Sequence, residues 1–443
     1  MSNNMSNKMV DTKQSKPTKQ RVLLMTTIFL GIFVAYMDRS NVSVLVADPK
    51  FLNDLGIAGD QFKIGMIMTS FLMAFGIASL VGPPLINFMG PRKAMVLGMI
   101  LWFVSSILGA TAFTFTTIII SRIILGIGEG VSYPQSAVYI KNWIPPQDRG
   151  KANTTWVVGQ SLSLAATTPI IAFIIAAWGW RESYVFLIIA TIIPMYLFWF
   201  HTTDKPKDHK KVNKEELEYI EEGLAREPIK EITKNDTFKE KFLSFGGKTR
   251  FWMLVIWYML MNFNGFGIQT WLPTYLSDAR GFSWGAMGFL ASLPFIFLVF
   301  FKIMAGWLTD KTSRKAIIIF LSFSALLAGG SIYFAVSIPN NYVAAALIAF
   351  GYAFSGMANG VIFVLLQDIV PARTIGVAHG VLTGFGFFFS SLSPMIMGYA
   401  ISFGDYDTGL YLLVVANIIA AIISFILSFL KVKGEDDKKI EVT

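Results

Sequence analysis

Apolar runs of eighteen or more residues alternate with short polar stretches along almost the whole 443-residue chain. About 20 predominantly apolar residues carry a helix across the hydrocarbon core of a bilayer, so runs of this length read as spanning segments. They lie near residues 22–45, 63–86, 94–114, 116–142, 152–176 and 183–203. A second set lies near 251–276, 284–307, 316–337, 342–366, 376–403 and 409–430. The pattern predicts an all-α membrane protein with twelve transmembrane helices. The first run is too long, and too polar at its far end, for a cleaved signal peptide. The long hydrophilic stretch 204–250 has a Lys/Glu pattern that permits a short surface helix. The expected division is a tail (1–21), a six-span half (22–203), a linker (204–250), a second six-span half (251–430) and a C-terminal tail (431–443). Residues 1–20 read as disordered.

Composition narrows the function classes. Hydrophobic residues make up 54% of the chain and charged ones 15%, against about 45–50% and about 25% in an average soluble domain. With no cysteine, disulfides, thiolate metal sites and cysteine nucleophiles are excluded. His201, His209 and His379 are scattered, so no metal or other cofactor is expected. No nucleophile–base set or phosphate loop is visible, which argues against an enzyme.

The net charge of +9 is a topology signal. If the chain weaves alternately, thirty of the 37 Lys and Arg fall on one side and four on the other. Three (Arg39, Arg122 and Lys302) fall within spans. Positive residues are retained in the cytoplasm. Both termini and the linker are therefore expected there, in a monomer crossing the plasma or inner membrane. No basic helix with interleaved aromatics stands outside the bilayer, so nucleic acid is not an expected partner.

The halves echo each other. IPPQDRGKA (144–152) aligns with VPARTIGVA (370–378) at an offset of 226, each after the fourth span of its half. The pair Arg92-Lys93 matches Arg314-Lys315 at an offset of 222, each after the second span. Such repetition predicts two pseudo-symmetric bundles with a cavity between them near the midplane.

Charges at bilayer depth cost about 2.5–3.5 kcal/mol each on insertion scales, so each is a functional candidate. The first span carries Asp38 and Arg39, the fourth Arg122 and Glu129. Seven residues separate Arg122 from Glu129, so both project from one helix face. Gly126, Gly128 and Gly130 allow a neighbouring helix or substrate to come close. A guanidinium offers a planar fork matched to carboxylate. A carboxylate caught between desolvation and a nearby arginine can change its proton occupancy. A buried pair that only fixes packing is the plainer reading. Asn262, Asn264 and Gln269 could add polar contacts or merely bond between helices. Lys302, four residues before Gly306, is expected to snorkel to the interface, and His379 to serve packing or a gate.

The loop GWLTDKTSRK resembles the signature loop of the major facilitator superfamily, and the resemblance extends over nearly the whole chain. In the family the aspartate matching Asp310 and the basic residues matching Arg92 and Arg314 help latch the cytoplasmic side. Asn87 stands at the usual aspartate of the first copy and Pro83 at its first glycine, which implies a weaker latch. AYMDRSNVS, R-x6-E followed by YP, VVGQSLSLAATTP and QTWLPTYL resemble the anion:cation symporter branch, which includes hexuronate and hexonate carriers. The resemblance implies proton carriage at Asp38 and Glu129. It implies a substrate site at Tyr36, Arg39, Arg122 and Gln160, with Asn262, Asn264 and Thr383 as further candidates. Thr383 replaces a frequent asparagine, and SFLMAFGIASL offers Phe71, Met73 and Phe75 in place of an aromatic hydroxyl. A cavity poorer in hydroxyl-binding groups is therefore expected.

These readings converge on proton-coupled import of a small organic anion. Sodium suits the same carboxylates. An anion exchanger or efflux carrier is the alternative, followed by a non-transporting receptor on the same fold.

Overall fold

The computed structural model describes residues 16–226, 237–359, 361–371 and 374–430; within them, the side chains at 80–88, 154, 156–157, 306–311 and 314 are not described. The expectations for Asn87, Asp310 and Arg314, and for most of both tails, lie outside the described residues. Among those described, twelve helices are long and apolar enough to cross a bilayer. Spans 1 to 6 are Gln20–Leu45, Gln61–Met89, Pro91–Ala110, Phe115–Trp143, Arg149–Ala177 and Trp180–His201. Span 7 is Thr249–Thr274, span 9 Arg314–Ser337 and span 12 Tyr406–Phe429.

Three spans are made of two helical pieces. Span 8 comprises Trp284–Leu290 and Leu293–Lys311, and span 11 comprises Ile375–Ser390 and Ser393–Phe403. Each restarts with a proline in its first turn, where the missing N–H costs no helical hydrogen bond. Span 10 comprises Asn341–Met357 and Ile362–Ile369.

Within the first half, span 4 sits against spans 2 and 3 at backbone distance. A Cβ on Gly126 would lie 2.5 Å from the Phe71 carbonyl oxygen, and one on Gly98 would lie 2.6 Å from that of Gly128. This close approach brings the carboxylate of Glu129 to span 1. Outward faces remain apolar, with Phe200, Phe300 and Ile303 well exposed, as lipid contact requires.

Two apolar cores show how the halves meet. One fills the first half and continues across the interface through Trp271, Leu272, Met287 and Met397. The other, including Phe251, Trp257, Leu365 and Leu427, belongs to the end of the second half nearer the termini. The halves are thus fused on the face opposite the termini. There a Cβ on Gly65 would run into the Pro394 carbonyl oxygen, and one on Gly398 into that of Gln61.

Among the described residues the linker holds two α-helices where a single short one is expected, Lys214–Ala225 and Phe238–Gly246. Buried Glu216 accepts hydrogen bonds from the backbone N–H groups of Gln20 and Arg21, both at 3.1 Å, and from the Thr18 hydroxyl. It satisfies donors at the start of span 1 that no helical carbonyl can reach. Tyr219 donates to Asp148 at 2.8 Å. The second linker helix turns to the other half, where Phe245 packs on Phe251 and Lys248 donates to the Ile369 carbonyl.

Candidate functional site

A cavity of about 320 Å³ separates the halves. Spans 1, 2, 4 and 5 form one wall, and spans 7, 8, 10 and 11 the other. Arg39 and Lys302 are its charged lining residues, one on each wall.

The four intramembrane charges of the first half form two crossed pairs. Arg39 Nη2 donates to Glu129 Oε2 at 2.5 Å, and Arg122 Nη2 donates to Asp38 Oδ1 at 3.4 Å. Asp38 and Arg39 are neighbours on one helix, so their side chains point about 100° apart. Arg39 turns to the cavity while Asp38 turns into the bundle. Arg122 and Glu129 share a face but stand about 10.5 Å apart along the axis, at about 1.5 Å per residue, so each meets a different partner.

The Arg39–Glu129 pair lies at the cavity wall. The guanidinium carbon is 4.5, 5.0 and 4.9 Å from the ring centroids of Tyr36, Phe71 and Phe75, within cation–π range. The ion pair uses one oxygen only. Glu129 Oε1 and Arg39 Nε are buried and have no hydrogen-bond partner among the described residues. A buried carboxylate oxygen without a donor is costly and is a ready seat for a proton.

Asp38 and Arg122 are deeper, each 1% exposed, and neither lines the cavity. Asp38 Oδ2 accepts from the Ser106 hydroxyl at 3.0 Å, and Arg122 donates to the Asp38 carbonyl at 3.2 Å and to the Tyr184 hydroxyl at 3.3 Å. This group ties together spans 1, 3, 4 and 6. Arg122 is expected at the substrate; its guanidinium is instead taken up by span 1 and Tyr184.

Tyr36, Gln160 and Asn262 line the cavity, as does Gln269, whose amide donates to Ser40 at 3.3 Å across the halves. Asn264 does not line it. Two positions on a helix turn it about 200° from Asn262, and its amide donates to Asn417 at 3.5 Å. Thr383 is also absent from the lining; its hydroxyl bonds back to the His379 carbonyl at 2.8 Å. Arg92 caps the end of span 6, donating its side chain to the Thr202 carbonyl and its backbone N–H to Asp204. His379 stacks on Phe363 with centroids 4.5 Å apart.

Lys302 corrects the snorkelling expectation. Its helix does not stop near Gly306 but runs on to Lys311, leaving Lys302 nine residues, about 13.5 Å, from the end. The cavity is also richer in hydrogen-bonding groups than expected. Tyr133, Tyr352, Ser355 and Asn359 all line it. Tyr352, Ser355 and Asn359 recur at helical spacing within GYAFSGMANG, a polar stripe readable in an apolar span. Tyr133 stands one turn beyond Glu129.

Residues 28–394 match the sequence model of the Major Facilitator Superfamily. A probable sulfoacetate transporter of Cupriavidus necator is 28% identical, the alignment covering 96% of this chain and 98% of the relative. A hexuronate transporter of Bacillus subtilis is 26% identical over 89% and 92% of the two chains. A D-galactonate transporter of Escherichia coli is 24% identical over 88% and 91%. Among solved structures, an inward-facing bacterial homologue of the human lysosomal transporter Spinster superposes with a TM-score of 0.72 at 18% identity. That superposition covers 94% of this chain and 98% of the homologue.

Proposed function

The chain belongs to the major facilitator superfamily of membrane transporters, not to an enzyme family, and on that premise we propose that it imports a small organic anion together with a proton. The observation that carries this reading is the single-oxygen pair between Arg39 and Glu129 at the cavity wall. A substrate carboxylate and Glu129 compete for one guanidinium. Protonation at the partnerless Oε1 of Glu129 weakens its hold on Arg39 and frees the fork for the substrate, since charge-assisted bonds are roughly twice as strong as neutral ones. Proton and anion then occupy the site together. Loss of the proton restores the internal pair and expels the anion.

Asp38 and Arg122 act in this scheme as positioning residues, holding span 1 so that Arg39 faces the cavity. Gln160, Asn262 and the cavity tyrosines supply partners for substrate hydroxyls. The named activities of the relatives, on sulfoacetate, hexuronate and galactonate, support an organic anion as cargo. The lysine- and arginine-rich side carries both termini, which supports their cytoplasmic placement. In that orientation the fused face looks outward and the cavity serves release.

Reconstituted vesicles test the reading. A pH gradient, acid outside, is expected to drive uptake of labelled sugar acids above their external concentration, and an uncoupler to abolish that accumulation. Uptake that ignores the gradient but requires counter-substrate inside would identify an exchanger; dependence on a sodium gradient would replace the coupling ion.

A further inference from the structure

Lys302 takes no part in the cycle set out above. Its neighbours on span 8 show which way it points. Phe300 and Ile303 are exposed on the outer face, whereas Leu298, one turn back from Lys302, lines the cavity with it. No hydrogen-bond or ion partner for the ammonium is found among the described residues. Arg39, by contrast, already has Glu129 behind it.

The charge balance of the cavity follows. No described lining residue is an aspartate or glutamate. With Glu129 ionised, the Arg39 pair is neutral and Lys302 contributes one uncompensated positive charge. With Glu129 neutralised, two positive charges face each other from opposite halves. A cargo with one anionic group can answer only one of them, and a partly buried cation left unanswered opposes closure of the site.

Resting on the organic-anion reading, we propose that the preferred substrate is a dianion, one acidic group held by Arg39 and the second by Lys302. The ends differ in kind. The guanidinium matches a planar carboxylate, while the ammonium is a compact point charge that also accepts a tetrahedral acid such as a sulfonate. Between them Gln160, Asn262 and Gln269 offer amides to a hydroxylated frame. The volume of about 320 Å³ suits a compact molecule of this type, standing at the small end of the range for ligand sites. A cargo spanning both walls also ties the halves together until one end lets go.

Matched six-carbon sugar acids test this, one series with a single carboxylate and one with a carboxylate at each end. Affinity is measured by calorimetry on purified protein in lipid nanodiscs. The unmodified protein is expected to favour the diacid by about tenfold or more. Lys302→Gln is expected to cut that preference to about threefold or less, and Lys302→Arg to keep most of it. Comparable binding of monoacid and diacid by the unmodified protein overturns the dianion assignment but leaves the carrier reading standing. A preference that survives Lys302→Gln in a protein with a normal melting profile overturns the role of Lys302. Failure of the unmodified protein to bind any organic acid overturns the carrier reading itself.

Discussion

Replacing Glu129 by glutamine should separate binding from coupling. The variant keeps the shape of the side chain and makes permanent the neutral state that protonation creates. In the parent protein an arriving carboxylate must displace Glu129 Oε2 from a 2.5 Å contact with Arg39. A hydrogen bond to a charged group contributes about 1.5–3 kcal/mol. Removing the competitor is therefore expected to tighten anion binding by about 10- to 150-fold, at about 1.4 kcal/mol per decade. The gain should be largest at high pH, where the parent carboxylate is ionised, and should shrink as pH falls. Affinity in the variant should hardly depend on pH at all.

Without anion the variant leaves Arg39 with its aromatic cage but no counter-charge, and truncating one partner of a buried pair costs about 3–5 kcal/mol. A lower melting temperature, recovered on adding anion, is the expected companion effect. In vesicles, exchange of labelled for unlabelled substrate should persist while accumulation against a gradient disappears. Gradient-driven accumulation of parental size, or anion affinity within twofold of the parent at every pH, would refute the competition.

The fused face gives a second test. In Gly65→Ala the new methyl must be accommodated against the Pro394 carbonyl; overpacking of about 1–3 kcal/mol should raise the population open on that side about 5- to 150-fold. Because the natural chain has no cysteine, a single cysteine at buried Ser40 can report this through faster reaction with an impermeant thiol reagent added from that side. Unchanged labelling would show that the closure yields elsewhere. A third concerns Asp54, which accepts from Arg181 at 2.7 Å and from the Trp180 indole at 2.9 Å. Those bonds, that from Arg181 foremost, hold its carboxyl below the usual range. Their stabilisation is present above the unfolded value of about 3.9 and is lost as pH falls through the lower folded value. Melting temperature should therefore drop more steeply in acid for the parent than for Asp54→Asn; equal slopes would discount the contact.

The spans were legible because a single rule governs them: backbone in lipid must be helical, and only long apolar runs can be there. Span 1 is expected at 22–45 and found at Gln20–Leu45. The charged residues were legible as a group, since they are conspicuous in an apolar background. Their partners were not, because pairing depends on the rotation of two helices about their axes. Asn264 and Thr383, expected at the cavity from residue type and depth, do not line it for the same reason, the azimuth of their helices. Lys302 departs from its expected place because the helix continues through Gly306 to Lys311. Tyr352, Ser355 and Asn359 were available in the sequence as a polar stripe.

The linker helices also bear on how the halves can move. Lys214–Ala225 is fastened to one half through Glu216 and Phe238–Gly246 is seated on the other, so the chain passes from one half to the other between Arg226 and Thr237. Eleven peptide steps reach at most about 36–40 Å when extended. Any relative movement of the halves therefore keeps those two helix ends within that distance. A chain cut between Arg226 and Thr237 is expected to leave the close glycine contacts of the far face intact.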